Sequence, residues 1–148
     1  MKKIIIIGAG AMGSAFTVPC LENKNEVTLI GTHLEDELIN NIQLNKNFHP
    51  ALNIELPAKL KVEKYERLKS ILEGGVDIIV AGVSSIGIAW FVDQIAKNYK
   101  KNLPIILLTK GLAIEDNELI TLSDKIKKLL YQKGHEEVNV SAIKGPCL

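Results

Sequence analysis

The sequence predicts a doubly wound α/β fold, in which a mostly parallel sheet carries helices on both faces. Apolar runs typical of buried strands alternate with segments of helical period, from residues 4–7 to residues 138–143. This alternation favours βαβ units, parallel pairing and right-handed crossovers. We find no repeat, low-complexity segment or flexible linker, so residues 1–148 are predicted to form one domain.

The N-terminal segment gives the most specific prediction. Four consecutive isoleucines at 4–7 fit a strand that is buried on both faces. Gly8, Gly10 and Gly13 follow with G-x-G-x-x-G spacing, which permits a tight turn, the approach of a pyrophosphate and close packing of helix on strand. The next helix would point unpaired N–H groups and its positive dipole end at the phosphates. The segment therefore predicts a Rossmann-type dinucleotide site.

The remaining strands and loops follow the apolar runs and the turn residues. Further strands are expected at residues 26–30, 59–63, 76–83, 105–109 and 138–143. Residues 47–57 contain two prolines and show no clean period, so a loop is expected there.

The helices follow the 3.6-residue period and its caps. They are expected at residues 11–22, 34–45, 65–72 and 86–98, and along an apolar face from Leu119 to Leu130 that Gly134 ends. Pro19 removes a backbone donor and predicts a kink or an early end of the first helix. Ser84 or Ser85 is expected to cap the helix over 86–98.

Composition and charge limit the classes of function. Hydrophobic residues make up 47% and charged residues 24%, as in soluble globular proteins. The net charge of +1 argues against a nucleic-acid partner or an anionic membrane surface. No membrane span is expected, and the apolar run is too short for a secretory signal, so a cytoplasmic location is predicted. The cysteines and histidines lack ligand spacing, so no metal site is expected.

Five loops are predicted to meet at the carboxyl edge of the sheet, where ligands bind in this kind of fold. They are the glycine loop and residues 31–33, 83–85, 110–111 and 145–147. Lys110 has the most useful chemistry among them, because an ammonium at a strand end can neutralise a phosphate or polarise a carbonyl. An ordinary solvated lysine is the alternative. Trp90 is expected to pack on the sheet rather than to stack on a base, and Asp77 is expected to be structural.

The segment after the second strand leaves the cofactor preference open. An NAD site usually has an acidic residue there for the ribose 2′-hydroxyl, whereas this chain has Gly31, Thr32 and His33. NADP would be tolerated, although no arginine is present to attract its 2′-phosphate. Thr32 and Glu35 also have capping-box spacing for the second helix, whose apolar face would include Leu34.

With these positions in place, the chain resembles the NAD(P)-dependent sn-glycerol-3-phosphate dehydrogenases. The matching motifs run in order along the chain: GAGAMGSA at 8–15, EVTLIG at 26–31, NKNFHP at 45–50, LP at 56–57, DIIVAGVSS at 77–85, TKG at 109–111 and KGPC at 144–147. The glycine loop is shared with many reductases. The TKG and GP segments at these distances are more specific.

The resemblance implies a role for each matching position. The cofactor-binding residues would be Gly8, Gly10, Ala11, Met12, Gly13, Thr32, Ser84 and Lys110. Lys110 would also contact the substrate and serve catalysis, and Gly145 and Cys147 would contact the substrate. The chain departs from the family pattern where Met12 replaces an aromatic residue, Ser84 a common proline and Cys147 a threonine or asparagine.

In this family a helical second domain follows the GP segment and supplies the general acid/base lysine. The resemblance thus implies the cofactor half of an oxidoreductase that interconverts sn-glycerol 3-phosphate and dihydroxyacetone phosphate with NAD or NADP. It also implies a homodimer in the full-length protein and little or no turnover by this chain alone. Two alternatives stay open: another reductase of the superfamily acting on a carbonyl or imine, or a stand-alone, non-enzymatic dinucleotide-binding module.

Overall fold

The computed structural model describes residues 1–100 and 102–143, and strands and helices alternate through them. The strands are β1 (Lys3–Ile7), β2 (Glu26–Ile30), β3 (Phe48–His49), β4 (Ile54–Glu55), β5 (Lys61–Glu63), β6 (Ile78–Ala81), β7 (Ile105–Leu107), β8 (Leu112–Glu115), β9 (Glu118–Thr121) and β10 (Val140–Ala142). The helices are α1 (Ala11–Glu22), α2 (Asp36–Leu44), α3 (Leu68–Glu73), α4 (Ile88–Ala96) and α5 (Leu122–Gln132), and a short 3₁₀ turn (Tyr65–Arg67) precedes α3. None of these helices has both the length and the apolar character needed to cross a bilayer.

Six strands form one parallel sheet in the order β5-β2-β1-β6-β7-β10. Numbered by their position in the chain, these six strands have the order 3-2-1-4-5-6, which is that of doubly wound dinucleotide-binding folds. The strand order reverses between β1 and β6, where Ile7 pairs with Ala81 at the carboxyl edge. The predicted fold class is confirmed.

The isoleucines of β1 separate the two cores of the domain. Ile5 and Ile7 lie in one core with side chains of α3, α4 and α5. Ile4 and Ile6 lie in the other core with side chains of α1 and α2. Each of the four is at most 6% exposed, and burying such a side chain contributes about 1.5–3 kcal/mol. The strand alternates its side chains between faces, so apolar residues are needed at every position.

Three glycines allow β1, α1 and the end of β6 to approach at backbone distance. Gly8 has φ +108°, and a Cβ added to it would lie 2.6 Å from the carbonyl carbon of Gly82. A Cβ on Gly13 would lie 2.0 Å from the carbonyl oxygen of Gly8. Any side chain at Gly8 or Gly13 would therefore push α1 or the β6 turn away from β1.

A buried polar cluster holds Ala9, the residue between the first two glycines. The Ala9 carbonyl accepts hydrogen bonds from Ser14 Oγ at 2.9 Å and from His49 Nε2 at 2.9 Å. The His49 Nδ1 atom accepts the Leu52 N–H at 3.2 Å, so the proton of the neutral ring is assigned to Nε2, which donates to Ala9. His49 is fully buried, and it ties residues 48–55 to the glycine loop.

Two segments form hairpins that the sequence did not predict. Residues 47–57 were expected to be a loop, but β3 and β4 pair antiparallel within them. Residues 112–121 contain the antiparallel pair β8–β9, so the prediction that Leu119 belongs to a helical face is wrong. The turns at Asn53 (φ +55°), Asp116 (φ +51°) and Asn117 (φ +64°) use residue types that tolerate positive φ.

The helix ends differ from the predictions for local reasons. Helix α1 continues through Pro19 to Glu22, so the prediction that Pro19 ends this helix early is wrong. Pro19 and Ala15 are exposed, and water can therefore bond the carbonyl that the missing N–H leaves. Helix α4 starts at Ile88 and has no side-chain cap among the described residues. The carbonyl of Ser84, rather than its hydroxyl, accepts the Gly87 N–H at 2.9 Å in a tight turn.

We expect the substitution Gly13→Ala to lower the free energy of unfolding by about 3 kcal/mol, because the new Cβ would overlap the Gly8 carbonyl. Gly10→Ala is the matched control. The nearest described atom to a Cβ on Gly10 is Glu35 Oε1 at 4.0 Å, so a change of less than about 1 kcal/mol is expected. Urea unfolding, followed by circular dichroism, measures the free energy of unfolding of both variants. Equal losses of stability would contradict the close contact of Gly13 with the Gly8 carbonyl.

We expect His49→Ala to destabilise the chain by about 2–4 kcal/mol, since it removes a buried ring and leaves the Leu52 N–H without its acceptor. His33→Ala is the control, because His33 is exposed and loses only its ring contacts with Trp90 and Tyr65, so a smaller change of about 0.5–1.5 kcal/mol is expected. The comparison uses the same urea titration. A His49 variant as stable as the His33 variant would show that the buried cluster does not hold the glycine loop.

Candidate functional site

A cleft of about 590 Å³ opens at the carboxyl edge of the sheet, above the reversal of strand order. Its walls come from the loops after β1, β2, β6 and β7 and from the start of α4. Most of the predicted cofactor-binding residues line this cleft: Gly10, Ala11, Met12, Thr32, Ser84 and Lys110. The structure thus brings these positions into one cavity. The other two, Gly8 and Gly13, contact each other beneath the glycine loop.

The glycine loop presents open backbone to this cleft. Gly10 is the N-cap of α1, and no side chain caps this helix in the described part of the chain. The space where a Cβ on Gly10 would lie is open apart from Glu35 Oε1 at 4.0 Å. The first-turn N–H groups of a helix have no partner within the helix, and its dipole favours an anion there. The loop therefore fits the pyrophosphate of a dinucleotide.

Glu35 belongs to the cleft wall, which the sequence did not predict. Its Oε2 atom accepts the Thr32 N–H at 2.7 Å and the Ala9 N–H at 3.0 Å. The bond from the Thr32 N–H to Glu35 is one of the two bonds of the predicted capping box. The second would join the Glu35 N–H to Thr32 Oγ1, but Thr32 Oγ1 instead accepts the Leu34 N–H at 3.4 Å. The T-x-x-E spacing could reveal the bond to Thr32. The bond to Ala9 joins the loops after β1 and β2 and depends on the tertiary structure.

Helix α2 begins later than the capping-box spacing predicted. Its first helical residue is Asp36, so Leu34 precedes the helix. Leu34 is 82% exposed at the rim of the cleft, and the prediction that it lies on the buried apolar face is wrong. Ile39 and Ile42, within α2, are fully buried.

An aromatic cluster forms the outer wall of the cleft. The rings of His33 and Trp90 lie 5.0 Å apart, and Tyr65 contacts both of them edge-on at 6.3 and 6.4 Å. Phe91 lies in the core, and the half-buried Trp90 packs against that core while also lining the cleft. The expected packing of Trp90 is therefore confirmed, and the expectation that it does not stack on a base stays a prediction. An aromatic ring in a cleft wall can stack on a planar base.

Lys110 lies after β7 at the junction of two cavities. It lines the main cleft and also a smaller pocket of about 270 Å³ that includes Thr121 and Ser123. The Thr109 hydroxyl donates to the Val83 carbonyl and so ties this segment to the loop after β6. Gly111 has φ +126°, a conformation that favours glycine, so the chain can turn sharply after the lysine.

The other predicted positions are placed as follows. Gly145 and Cys147 lie outside the described residues. Asp77 lies at the edge opposite the cleft and accepts the Lys3 N–H at 2.7 Å, which is a structural contact. Cys20 packs in the core between α1 and the sheet, and this burial raises the pKa of its thiol. Within residues 1–100 and 102–143, no three metal-ligating side chains come together.

Comparison with known proteins identifies the family. Residues 3–148 match the family model described as NAD-dependent glycerol-3-phosphate dehydrogenase N-terminus. The chain is 33% identical over 145 residues to the NADP(+)-dependent glycerol-3-phosphate dehydrogenase of Archaeoglobus fulgidus, covering 98% of this chain and 41% of that protein. It is 32% identical over 151 residues to the glycerol-3-phosphate dehydrogenase [NAD(P)+] of Mesoplasma florum, covering 99% and 42%.

A solved structure agrees in fold. The crystal structure of glycerol-3-phosphate dehydrogenase from Coxiella burnetii superposes with a TM-score of 0.77 and 23% identity, over 99% of this chain and 42% of that chain. At that identity the likeness shows the fold alone. The chain spans about two fifths of the length of the relatives it matches. Because the family model covers residues 3–148, the chain belongs to the family of NAD-dependent glycerol-3-phosphate dehydrogenase N-terminal domains.

Proposed function

We propose that this chain binds NAD(H) or NADP(H) in its cleft and forms the cofactor half of an enzyme that interconverts sn-glycerol 3-phosphate and dihydroxyacetone phosphate. One observation carries the proposal: open glycine backbone at Gly10 and the ammonium-bearing Lys110 line the same cleft, at the reversal of strand order. The first supports a dinucleotide site and the second supports a phosphorylated substrate beside it.

Different residues of the cleft would hold different parts of the dinucleotide. Gly10, Ala11 and Met12 would hold the pyrophosphate at the start of α1, with Gly8 and Gly13 keeping the loop close to β1. Thr32 and the segment after it would hold the adenosine half. Ser84, after β6, would lie along the other half. The family membership and the named activities of the relatives support this assignment.

Lys110 is the residue of this chain proposed to act on the substrate. A bound nicotinamide dinucleotide supplies or accepts the hydride. The Lys110 ammonium would neutralise the substrate phosphate or polarise the carbonyl oxygen, and its place between two cavities supports contact with both cofactor and substrate. Gly145 and Cys147 are proposed to contact the substrate on the same side, on the strength of the family resemblance.

The general acid/base lysine is proposed to come from a helical second domain of the longer protein. The matched relatives are more than twice as long as this chain, and their named activity belongs to the whole protein. One face of the β8–β9 hairpin, next to Lys110, exposes Leu112 (57%), Ile114 (74%) and Leu119 (70%). Such an apolar face beside the cleft supports contact with a further domain.

The proposal also covers the location, the partners and the oligomeric state of the full-length enzyme. We place it in the cytoplasm, with a small phosphorylated substrate as its partner and no nucleic acid, and as a homodimer in its full-length form. The net charge of +1 supports the absence of a nucleic-acid partner.

We expect NADH to quench the fluorescence of Trp90, the one tryptophan of the chain, saturably, since Trp90 lines the cleft. Gly10→Val should weaken NADH binding at least tenfold, because the side chain would fill the space that the pyrophosphate needs. Gly74→Val, at the end of α3 and outside the cleft, is the matched control and should bind as the wild type does. No saturable change at millimolar NADH would contradict the proposal.

We expect Lys110→Ala to weaken the binding of sn-glycerol 3-phosphate at least tenfold in the presence of NAD, because a charge-assisted contact of about 1.5–3 kcal/mol is lost. Lys127→Ala, an exposed lysine of α5, should have no effect. Ligand-detected NMR measures both. Equal binding by the two variants would favour another reductase of the superfamily. Turnover of dihydroxyacetone phosphate at ordinary enzyme rates by this chain alone would contradict the need for a second domain.

A further inference from the structure

The structure supplies an acidic group at a position where the sequence shows none. In dinucleotide-binding folds of this type, a carboxylate about 20 residues after the glycine motif accepts a hydrogen bond from the adenosine ribose 2′-hydroxyl. It normally follows the second strand directly. The residues that follow β2 here are Gly31, Thr32 and His33. The Glu35 carboxylate nevertheless reaches the cleft wall beside them.

Gly31, the first residue after β2, cannot carry an acidic side chain. A Cβ on Gly31 would lie 2.5 Å from Ile39 Cγ1 and 3.1 Å from Ile39 Cδ1. Ile39 is fully buried in the core between α2 and the sheet, so it has no room to move away. A carboxylate in this part of the cleft must therefore come from another position, and Glu35 provides it.

The two oxygens of Glu35 have different surroundings. Oε2 is anchored by the N–H groups of Thr32 and Ala9, at 2.7 and 3.0 Å. Oε1 faces the glycine loop, 4.0 Å from the place that a Cβ on Gly10 would take. Glu35 is half-buried. The two bonds at Oε2 fix the side chain, and Oε1, on the side of Gly10, can accept a further hydrogen bond.

The charges around the cleft oppose a 2′-phosphate at this end. Among the described residues that line it, Lys110 is the one lysine or arginine, and it follows β7. Glu35 lies beyond β2, and β1 and β6 separate β2 from β7 in the sheet. A phosphate monoester beside Glu35 would meet a like charge with no arginine or lysine of the cleft wall near it.

We infer that Glu35 is the specificity-determining residue for the cofactor: it accepts the ribose 2′-hydroxyl of NAD(H) and excludes the 2′-phosphate of NADP(H). The inference rests on the proposed dinucleotide binding and adds the choice between the two cofactors. It sets this chain apart from the Archaeoglobus fulgidus relative, which is named as NADP(+)-dependent.

The test compares NADH and NADPH binding by calorimetry at one salt concentration, on the 148-residue chain and on two variants. The wild type should bind NADH at least tenfold more tightly than NADPH. Glu35→Gln should lose most of that preference by binding NADPH about tenfold more tightly, since the amide oxygen can still accept from Thr32 and Ala9. Glu37→Gln removes the same charge from an exposed position of α2 and should behave as the wild type.

A wild type that prefers NADPH or binds both equally would overturn the inference while leaving the proposed function intact. The same holds for a Glu35→Gln variant with an unchanged preference and an unchanged melting temperature. Failure to bind either dinucleotide would overturn the proposed function and the inference together. If the Glu35 variant unfolds, competition on the wild type decides, with two nucleotides that differ only in the 2′-phosphate. Adenosine 5′-monophosphate must displace NADH at lower concentration than adenosine 2′,5′-bisphosphate, and the reverse order would overturn the inference.

Discussion

The structure depends on two close backbone contacts. Gly8 lies against Gly13, and it also lies against Gly82. These contacts let α1 begin directly above β1, the central strand, and bring the turn after β6 against the same point. The crevice at the reversal of strand order therefore starts at open backbone rather than at side chains. A single methyl group at Gly13 would separate the helix from the strand, and the cleft would lose its floor.

Hydrogen bonds to the backbone of Ala9 hold the glycine loop in place. Its carbonyl accepts from Ser14 and His49, and its N–H donates to Glu35. Groups from α1, from β3 and from the start of α2 thus meet at one buried residue of the glycine loop. A loop that is held at both polar atoms keeps its geometry without ligand, which reduces the ordering cost of binding an anion. Glu35 takes part in this scaffold and also faces the cleft.

The acidic and aromatic side chains of the cleft lie apart from its lysine along the sheet edge. Glu35 and the His33–Trp90 pair lie on the side of β2 and α4, where we have inferred contact of Glu35 with the adenosine ribose. Lys110 lies on the side of β7 with a smaller pocket behind it. The proposed function accounts for this arrangement as that of a domain that presents a cofactor to a substrate held partly by a further domain, beside the apolar face of the β8–β9 hairpin.

The sequence by itself determined the features that depend on local pattern: the buried β1, the alternation of strands and helices, the glycine loop and the position of Lys110 after a strand. Tertiary structure decided the rest. Glu35 joins the cleft through a bond to Ala9 in another loop, and His49 bonds the same residue from far along the chain. Trp90 lines the cleft beside His33 and Tyr65, which come from two other segments. Periodicity and spacing report which face of its own element a residue occupies, whereas these contacts form between elements that only the packed sheet brings together.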